Sequence, residues 1–169
     1  MKRNELPCIK TNSILGFLFV FSFILCSSVS VAKSPANFSG AWIQDTIKSD
    51  DFYKSFEVKY TITQMLQSFK VKQTFVMKGS NEAIDRNYSY SLDGKITTTE
   101  KESGTEKNSA LWSADKKILT TRSTITYGND DVGFTETYSL SDNGLVLTVQ
   151  KSDIIQGALS VKLVFNKQY

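Results

Sequence analysis

The chain has 169 residues and a mass of 18.9 kDa, with 40% hydrophobic residues, 22% charged residues and a formal charge of +3 at pH 7. That length and composition suit one ordinary globular domain. Histidine is absent. Its absence excludes an imidazole general base, Ser-His-Asp or Cys-His catalysis, and most zinc and haem ligation schemes.

The first 32 residues have the organisation of a secretory signal peptide. Basic residues within the first ten positions precede the apolar run from Ile14 to Cys26, and small residues lead up to Ala32. As a helix, that run is about 20 Å long, shorter than the roughly 30 Å hydrocarbon core of a membrane. We therefore expect a signal-peptide helix over 1–32, cleavage after Ala32, and export to the periplasm or the extracellular space. The alternative is an uncleaved N-terminal anchor.

Cleavage leaves a domain over 33–169 that contains no cysteine. Cys8 and Cys26 leave with the signal peptide, and so do three basic residues and one acidic residue, which leaves 17 Lys+Arg against 16 Asp+Glu. This near balance provides no electrostatic basis for nucleic-acid binding. Without disulfides the domain depends on its core, which a chain of this length can supply. We expect no stable membrane insertion after cleavage.

The body of the chain alternates apolar and polar residues with a period of two. In the segment FEVKYTIT at 56–63, every second residue is apolar and the residues between are charged or threonine. This alternation is typical of strands with one buried and one exposed face. Turns rich in Gly, Asn and Asp separate such segments. We predict ten strands, at 38–45, 56–65, 68–77, 86–92, 95–100, 107–113, 117–127, 132–140, 144–152 and 160–167.

Short turns between successive strands favour sequential antiparallel pairing. The predicted fold class is therefore all-β, an antiparallel up-and-down meander barrel of about 8–10 strands, because closure hides one face and removes the sheet edges. A two-sheet sandwich is the alternative. If apolar residues face one another, the predicted hairpin partners are Tyr90 with Ile96, Ile125 with Phe134, and Tyr138 with Leu147.

The opening of the mature chain, NFSGAW at 37–42, resembles the GxW opening of lipocalin and fatty-acid-binding barrels, and above all the exported bacterial lipocalin-like domains that begin FSGxW. The resemblance includes the DGK hairpin at 93–95, the hairpin from Tyr138 to Val149 and the last strand, and it covers 38–167. It implies a lipocalin-like barrel closed at one end by Gly40 and Trp42. It also implies that Lys167, where lipocalins usually have arginine, lies across the tryptophan. Some branches of the family bind small hydrophobic molecules.

The inward side chains decide whether the barrel holds a ligand. Many are bulky and favour a filled core, whereas Thr98, Ser109, Thr121 and Ser123 are small and favour a cavity in the second half. Both readings stay open. The candidate ligand-binding residues are Tyr60, Phe75, Tyr90, Thr121, Ser123, Phe134, Glu136, Tyr138 and Lys151.

Glu136 and Lys151 are charged residues at inward positions. An unpaired buried carboxylate is costly, so Glu136 requires a partner, and we expect Lys151 diagonally opposite, within reach of a long side chain. The pair could bind the polar head of an otherwise apolar ligand. Alternatively it is a structural pair at the barrel rim, or buried tyrosine hydroxyls satisfy Glu136.

Three functional hypotheses follow. The first is an exported barrel that binds a small apolar or amphipathic molecule. The second is a filled-core envelope module that acts through contacts with an unidentified protein partner, and the third is an outer-membrane β-barrel with its apolar face toward lipid. The sequence contains no nucleophile with an activating base, metal-ligand cluster or phosphate-binding loop. We therefore predict no catalytic residues, no metal, no cofactor and no enzymatic activity.

Overall fold

A computed structural model describes residues 34–102, 104–127, 130–154 and 160–169. The predicted signal peptide over 1–32, with both cysteines and the cleavage site, lies outside the described residues. The described residues contain ten strands and one short 3-10 helix. The strands are β1 (Gly40–Gln44), β2 (Phe56–Gln64), β3 (Ser68–Met77), β4 (Ala83–Ser91), β5 (Thr97–Lys101), β6 (Gly104–Trp112), β7 (Ile118–Tyr127), β8 (Asp130–Leu140), β9 (Val146–Asp153) and β10 (Ser160–Gln168).

These strands form one antiparallel sheet in the order β4-β3-β2-β1-β10-β9-β8-β7-β6-β5. The first and last strands lie side by side in its middle, where Trp42 of β1 is opposite both Lys167 of β10 and Tyr60 of β2. The sheet curls into a nearly closed barrel. The predicted all-β, antiparallel up-and-down fold is therefore confirmed.

The barrel does not close through a β4–β5 hairpin. The predicted pairing of Tyr90 with Ile96 is wrong, because β4 and β5 are the two edges of the sheet, and β4 lies against β6 without pairing to it. Ile96 is 66% exposed, and Thr98, predicted to face inward, is exposed with the rest of β5. Because β5 has no apolar side chain, pairing it with β4 would gain no stabilisation from burial of apolar side chains of β5. We call the gap between β4 and β6 the seam.

The later hairpins have the predicted faces but a register shifted by two residues. Ile125 lies opposite Val132 rather than Phe134, and Tyr138 lies opposite Val149 rather than Leu147. A shift of two leaves every side chain on the same face. On β6 the buried residues are Glu106, Asn108 and Ala110, so the prediction that Ser109 points inward is wrong by one position.

Most of the buried side chains are apolar, and most of the charged side chains lie on the outside. Phe38, Trp42, Phe69 and Tyr138 are fully buried. The alternate residues of β2, such as Glu57 and Lys59, are exposed. This is the reverse of the arrangement that the outer-membrane hypothesis requires.

Within the described ranges, no helix is long and apolar enough to cross a membrane. The same residues contain no group of three or more acidic or cysteine side chains placed to hold a metal ion.

Candidate functional site

Trp42 is fully buried, and it contacts the residues that the resemblance associates with it. The indole Nε1 donates a hydrogen bond to the carbonyl oxygen of Phe38 at 2.9 Å. Lys167 lies opposite in the sheet, with its Nζ 5.3 Å from the centroid of the Trp42 ring. A Cβ on Gly40 would lie 3.1 Å from Lys167 Cε, so glycine leaves room for the lysine there. The structure thus brings Gly40, Trp42 and Lys167 together.

A buried polar cluster lies around Glu136 of β8, whose side chain is fully buried. Its Oε1 accepts hydrogen bonds from the Tyr60 hydroxyl at 3.2 Å and from Gln73 Nε2 at 3.0 Å. The same oxygen forms an ion pair with Lys151 Nζ at 3.0 Å. Its Oε2 accepts from the Tyr138 hydroxyl and from Gln73 Nε2 at 3.1 Å. We call these five residues the Glu136 cluster.

The two charged groups of the cluster, the Glu136 carboxylate and the Lys151 ammonium, are paired with each other. Burial raises the pKa of the Tyr60 and Tyr138 hydroxyls well above 10, and the negative charge of Glu136 raises it further, so both stay protonated donors. Lys151 lies directly opposite Glu136 rather than diagonally as predicted. Of the readings left open by the sequence, the geometry matches a buried pair with tyrosine hydroxyl donors and not a pair at the rim.

The other predicted site residues lie around this cluster or apart from it. The Tyr90 hydroxyl and Ser123 Oγ are hydrogen-bonded at 2.8 Å, and Thr121 Oγ1 donates to the Glu136 carbonyl oxygen at 3.4 Å. Phe134 lies beneath the Lys151 ammonium, 3.7 Å from ring centroid to Nζ. Phe75 is separate, since it packs beside Tyr53 with ring centroids 5.9 Å apart.

A pocket of about 490 Å³ opens at the seam. The Tyr88 ring packs edge-on against Phe134 there, with ring centroids 5.2 Å apart. Because Phe134 also contacts Lys151, it connects this seam pocket to the Glu136 cluster. Ser123 and Phe134 are the two predicted ligand-binding residues that line it. The full lining is Arg86, Tyr88, Glu106, Ser123, Ile125, Val132, Gly133 and Phe134.

Two opposite charges border the seam pocket, and they differ in their partners. Glu106 Oε1 accepts from Asn108 Nδ2 at 2.7 Å, and the carboxylate forms an ion pair with Lys101 of β5. Arg86 Cζ lies 5.4 Å from the centroid of the Phe75 ring. Burial raises the pKa of Tyr88 to about 12, with neighbouring Arg86 acting in the opposite direction.

A second pocket, of about 360 Å³, adjoins Arg86 on the other side. The short 3-10 helix Asp51–Tyr53 supplies Phe52 and Tyr53 to its wall, and Phe56, Phe75 and Ile84 supply the rest. Phe52 is 61% exposed and Ile84 is 56% exposed. Arg86 therefore stands between two aromatic-lined pockets.

The sequence analysis missed several polar residues of these sites, namely Gln73, Arg86, Glu106 and Asn108. Two of them carried a readable signal. Gln73 has the inward parity of Phe69 and Phe75 on β3, and Arg86 has the parity of Tyr88 and Tyr90 on β4. The pair on β6 was missed because the face of that strand was assigned one residue off.

No protein-family model and no curated protein matches this sequence. Solved structures match it through their fold. The REP1-NXSQ fatty acid transporter has a TM-score of 0.52 at 10% identity, covering 78% of this chain and 96% of its own. Secretory abundant heat soluble protein 4 from Ramazzottius varieornatus has a TM-score of 0.54 at 13% identity, covering 81% of this chain and 99% of its own.

The chain folds as a β-barrel of this kind. A further secretory abundant heat soluble protein from Ramazzottius varieornatus matches with a TM-score of 0.50 at 13% identity, over 77% of this chain and 94% of its own. At these identities the likeness shows the fold. The barrel architecture implied by the GxW opening is thereby confirmed.

Proposed function

We propose that this protein is an exported barrel that binds a small apolar or amphipathic molecule in the seam pocket. The observation that carries the proposal is the pocket itself. Its volume of about 490 Å³ falls in the roughly 300–1,000 Å³ range of small-molecule sites. Apolar walls from Ile125, Val132 and Phe134 with a few polar groups at the rim are the usual composition of such sites. The fold shared with a fatty acid transporter supports the same proposal.

Export is supported by the organisation of the first 32 residues. The test is N-terminal sequencing of the protein that accumulates in the periplasmic or culture fraction of an expressing cell. A mature chain beginning at Lys33 is expected. A chain that keeps Met1 and sediments with membranes would contradict export as a soluble domain.

We further propose a binding protein rather than an enzyme. Support comes from the Glu136 cluster, whose carboxylate is fully enclosed by its own partners and therefore has no position from which to act on a substrate.

Binding can be tested with Nile red, a neutral dye that fluoresces in apolar sites. The Val132→Trp variant would fill the seam pocket, and Lys107→Trp on the exposed face of β6 is the matched control. We expect the parent and Lys107→Trp to bind the dye with equal affinity, and Val132→Trp to bind at least about tenfold more weakly, because its indole occupies the site. Failure of the parent to bind, or equal binding by all three, would contradict the proposal.

The free edge of β5 favours a second candidate function, contact with a protein partner. All five of its residues are exposed, and among the described residues only β6 pairs with it. Such an edge can accept a strand from another chain. A photo-crosslinking residue at Thr99 of β5 should then capture one discrete partner that the same residue at Thr61, on the outside of β2, does not. Equal patterns at both positions would contradict this function.

A further inference from the structure

We infer that the ligand of the seam pocket is an anionic amphiphile, whose negative group binds the Arg86 guanidinium while its apolar part lies along the aromatic walls. The inference rests on the proposed function. It adds the charge of the ligand and the position of its head group.

The backbone register directs Arg86 into the seam. Arg86 of β4 lies directly opposite Gln73 of β3, and residues directly opposite in neighbouring strands project on the same face. Gln73 is fully buried inside the barrel, so Arg86 leaves β4 on the inner side as well. Because β4 is a sheet edge, the long side chain reaches the gap and lines both pockets.

Arg86 is the charge beside these pockets that remains available. Among the described residues, no carboxylate forms an ion pair with it, and it lies beside the Phe75 ring and Tyr88. A guanidinium carries five N–H donors and binds carboxylates or phosphates with two parallel hydrogen bonds. Glu106 already has Lys101 and Asn108 as partners. The unmatched charge at the pocket is therefore positive.

Within the part of the chain that the structure describes, the interior offers an anion no comparable site. Lys151 is already paired with Glu136, and a second carboxylate brought close would be repelled by the first. The Gln73 Oε1 atom is buried without a hydrogen-bond partner among the described residues, and a carbonyl oxygen is an acceptor that cannot bind an anion. The head group is therefore held at the seam, and the two pockets on either side of Arg86 receive the apolar part.

The test compares three ligands with the same ten-carbon chain, namely decanoate, 1-decanol and decyltrimethylammonium. Each is titrated at pH 8 against Nile red bound to the protein, which is produced by expression of the full chain. Arg86 is exposed to solvent, so we expect decanoate to bind about twofold to fivefold more tightly than either of the others, the range for an exposed ion pair. Arg86→Gln should remove that preference by weakening decanoate and leaving decanol unchanged. Arg86→Lys, which keeps the charge but loses the two-pronged geometry, should be intermediate.

Arg122→Gln is the matched control, since Arg122 is exposed on β7 and lines neither pocket; it should bind decanoate as the parent does. The comparison of head groups on the parent needs no variant and stands even if a variant unfolds. Equal binding of decanoate and decanol by the parent, or equal loss of both in Arg86→Gln, would overturn the inference while the proposed function survives. Tightest binding of decyltrimethylammonium would also overturn it. If the parent binds neither Nile red nor any of the three, the proposed function is wrong as well.

Discussion

Replacing Glu136 with glutamine should strongly destabilise the barrel. The carboxylate is fully buried and accepts hydrogen bonds from Tyr60, Gln73 and Tyr138 while it pairs with Lys151. An amide keeps one acceptor oxygen and turns the other into a donor, which then faces groups that are themselves donors. The Lys151 side chain is only 10% exposed, so its ammonium cannot regain full hydration where it stands.

The expected cost follows from leaving that ammonium buried without a carboxylate. Removing one partner of a buried ion pair typically costs about 3–5 kcal/mol. For a domain of this size, that corresponds to a fall in Tm of about 10 °C or more. Glu57→Gln is the matched control, because Glu57 is exposed on β2, and such surface changes usually stay within about 0.5 kcal/mol.

The assay is urea unfolding followed by tryptophan fluorescence, with thermal unfolding as a second measurement. A double-mutant cycle with Lys151→Met adds a test of the mechanism. Once the lysine is gone, Glu136→Gln no longer strands a charge, so the double variant should lose less than the two single losses combined. A loss below about 1 kcal/mol for Glu136→Gln, or strict additivity in the cycle, would refute the reasoning.

Three further predictions concern other parts of the barrel. Burial raises the pKa of Tyr90 above its ordinary value near 10. The stability that Tyr90 contributes is therefore complete below pH 10 and falls above it, by about 1.4 kcal/mol per pH unit while only the folded state stays protonated. The free energy of unfolding should fall less steeply with rising pH for Tyr90→Phe than for the parent. Gly133→Ala places a Cβ against a backbone carbonyl of β7. In Gly94→Ala only the positive φ of 80° is strained, which costs about 1–2 kcal/mol. Gly133→Ala should therefore lose more stability in urea unfolding than Gly94→Ala. Lys167→Ala should cost about 0.5–1 kcal/mol through lost packing on the indole of Trp42, and Lys167→Arg should restore it.

The period of two made the strands and their faces predictable. Side chains alternate across a strand, so the pattern of apolar residues reports which face is buried, as it did for Tyr60, Tyr138 and Glu136. The same pattern cannot distinguish registers that differ by two residues, because both bury the same side chains. This is why Glu136 and Lys151 were placed on the correct face but diagonally, when they are directly opposite.

The seam could not be predicted from the local sequence pattern, because it depends on the absence of apolar side chains from β5. The turn at Asp93-Gly94 resembles a hairpin turn, but Thr97–Lys101 has no apolar side chain and gains little by packing over the core. Among the described strands, β5 therefore pairs with β6 alone, and β4 remains an edge. The seam pocket is a consequence of that composition, and its lining residues become neighbours only through the closure of the whole sheet.

The Glu136 cluster and the seam pocket differ in how readily they could accept a ligand. Around Trp42, the rings of Phe38, Phe69 and Tyr138 are fully buried. The cluster satisfies its charges internally, and breaking it would cost several kcal/mol, so a ligand that needed Glu136 or Lys151 as a partner would first have to meet that cost. Arg86 requires no such rearrangement, because it stands at an open edge without an ion-pair partner among the described residues. Under the proposed function, substitutions at Arg86 and the pocket walls should therefore change ligand selectivity without loss of the fold. Substitutions in the Glu136 cluster should appear first as loss of stability.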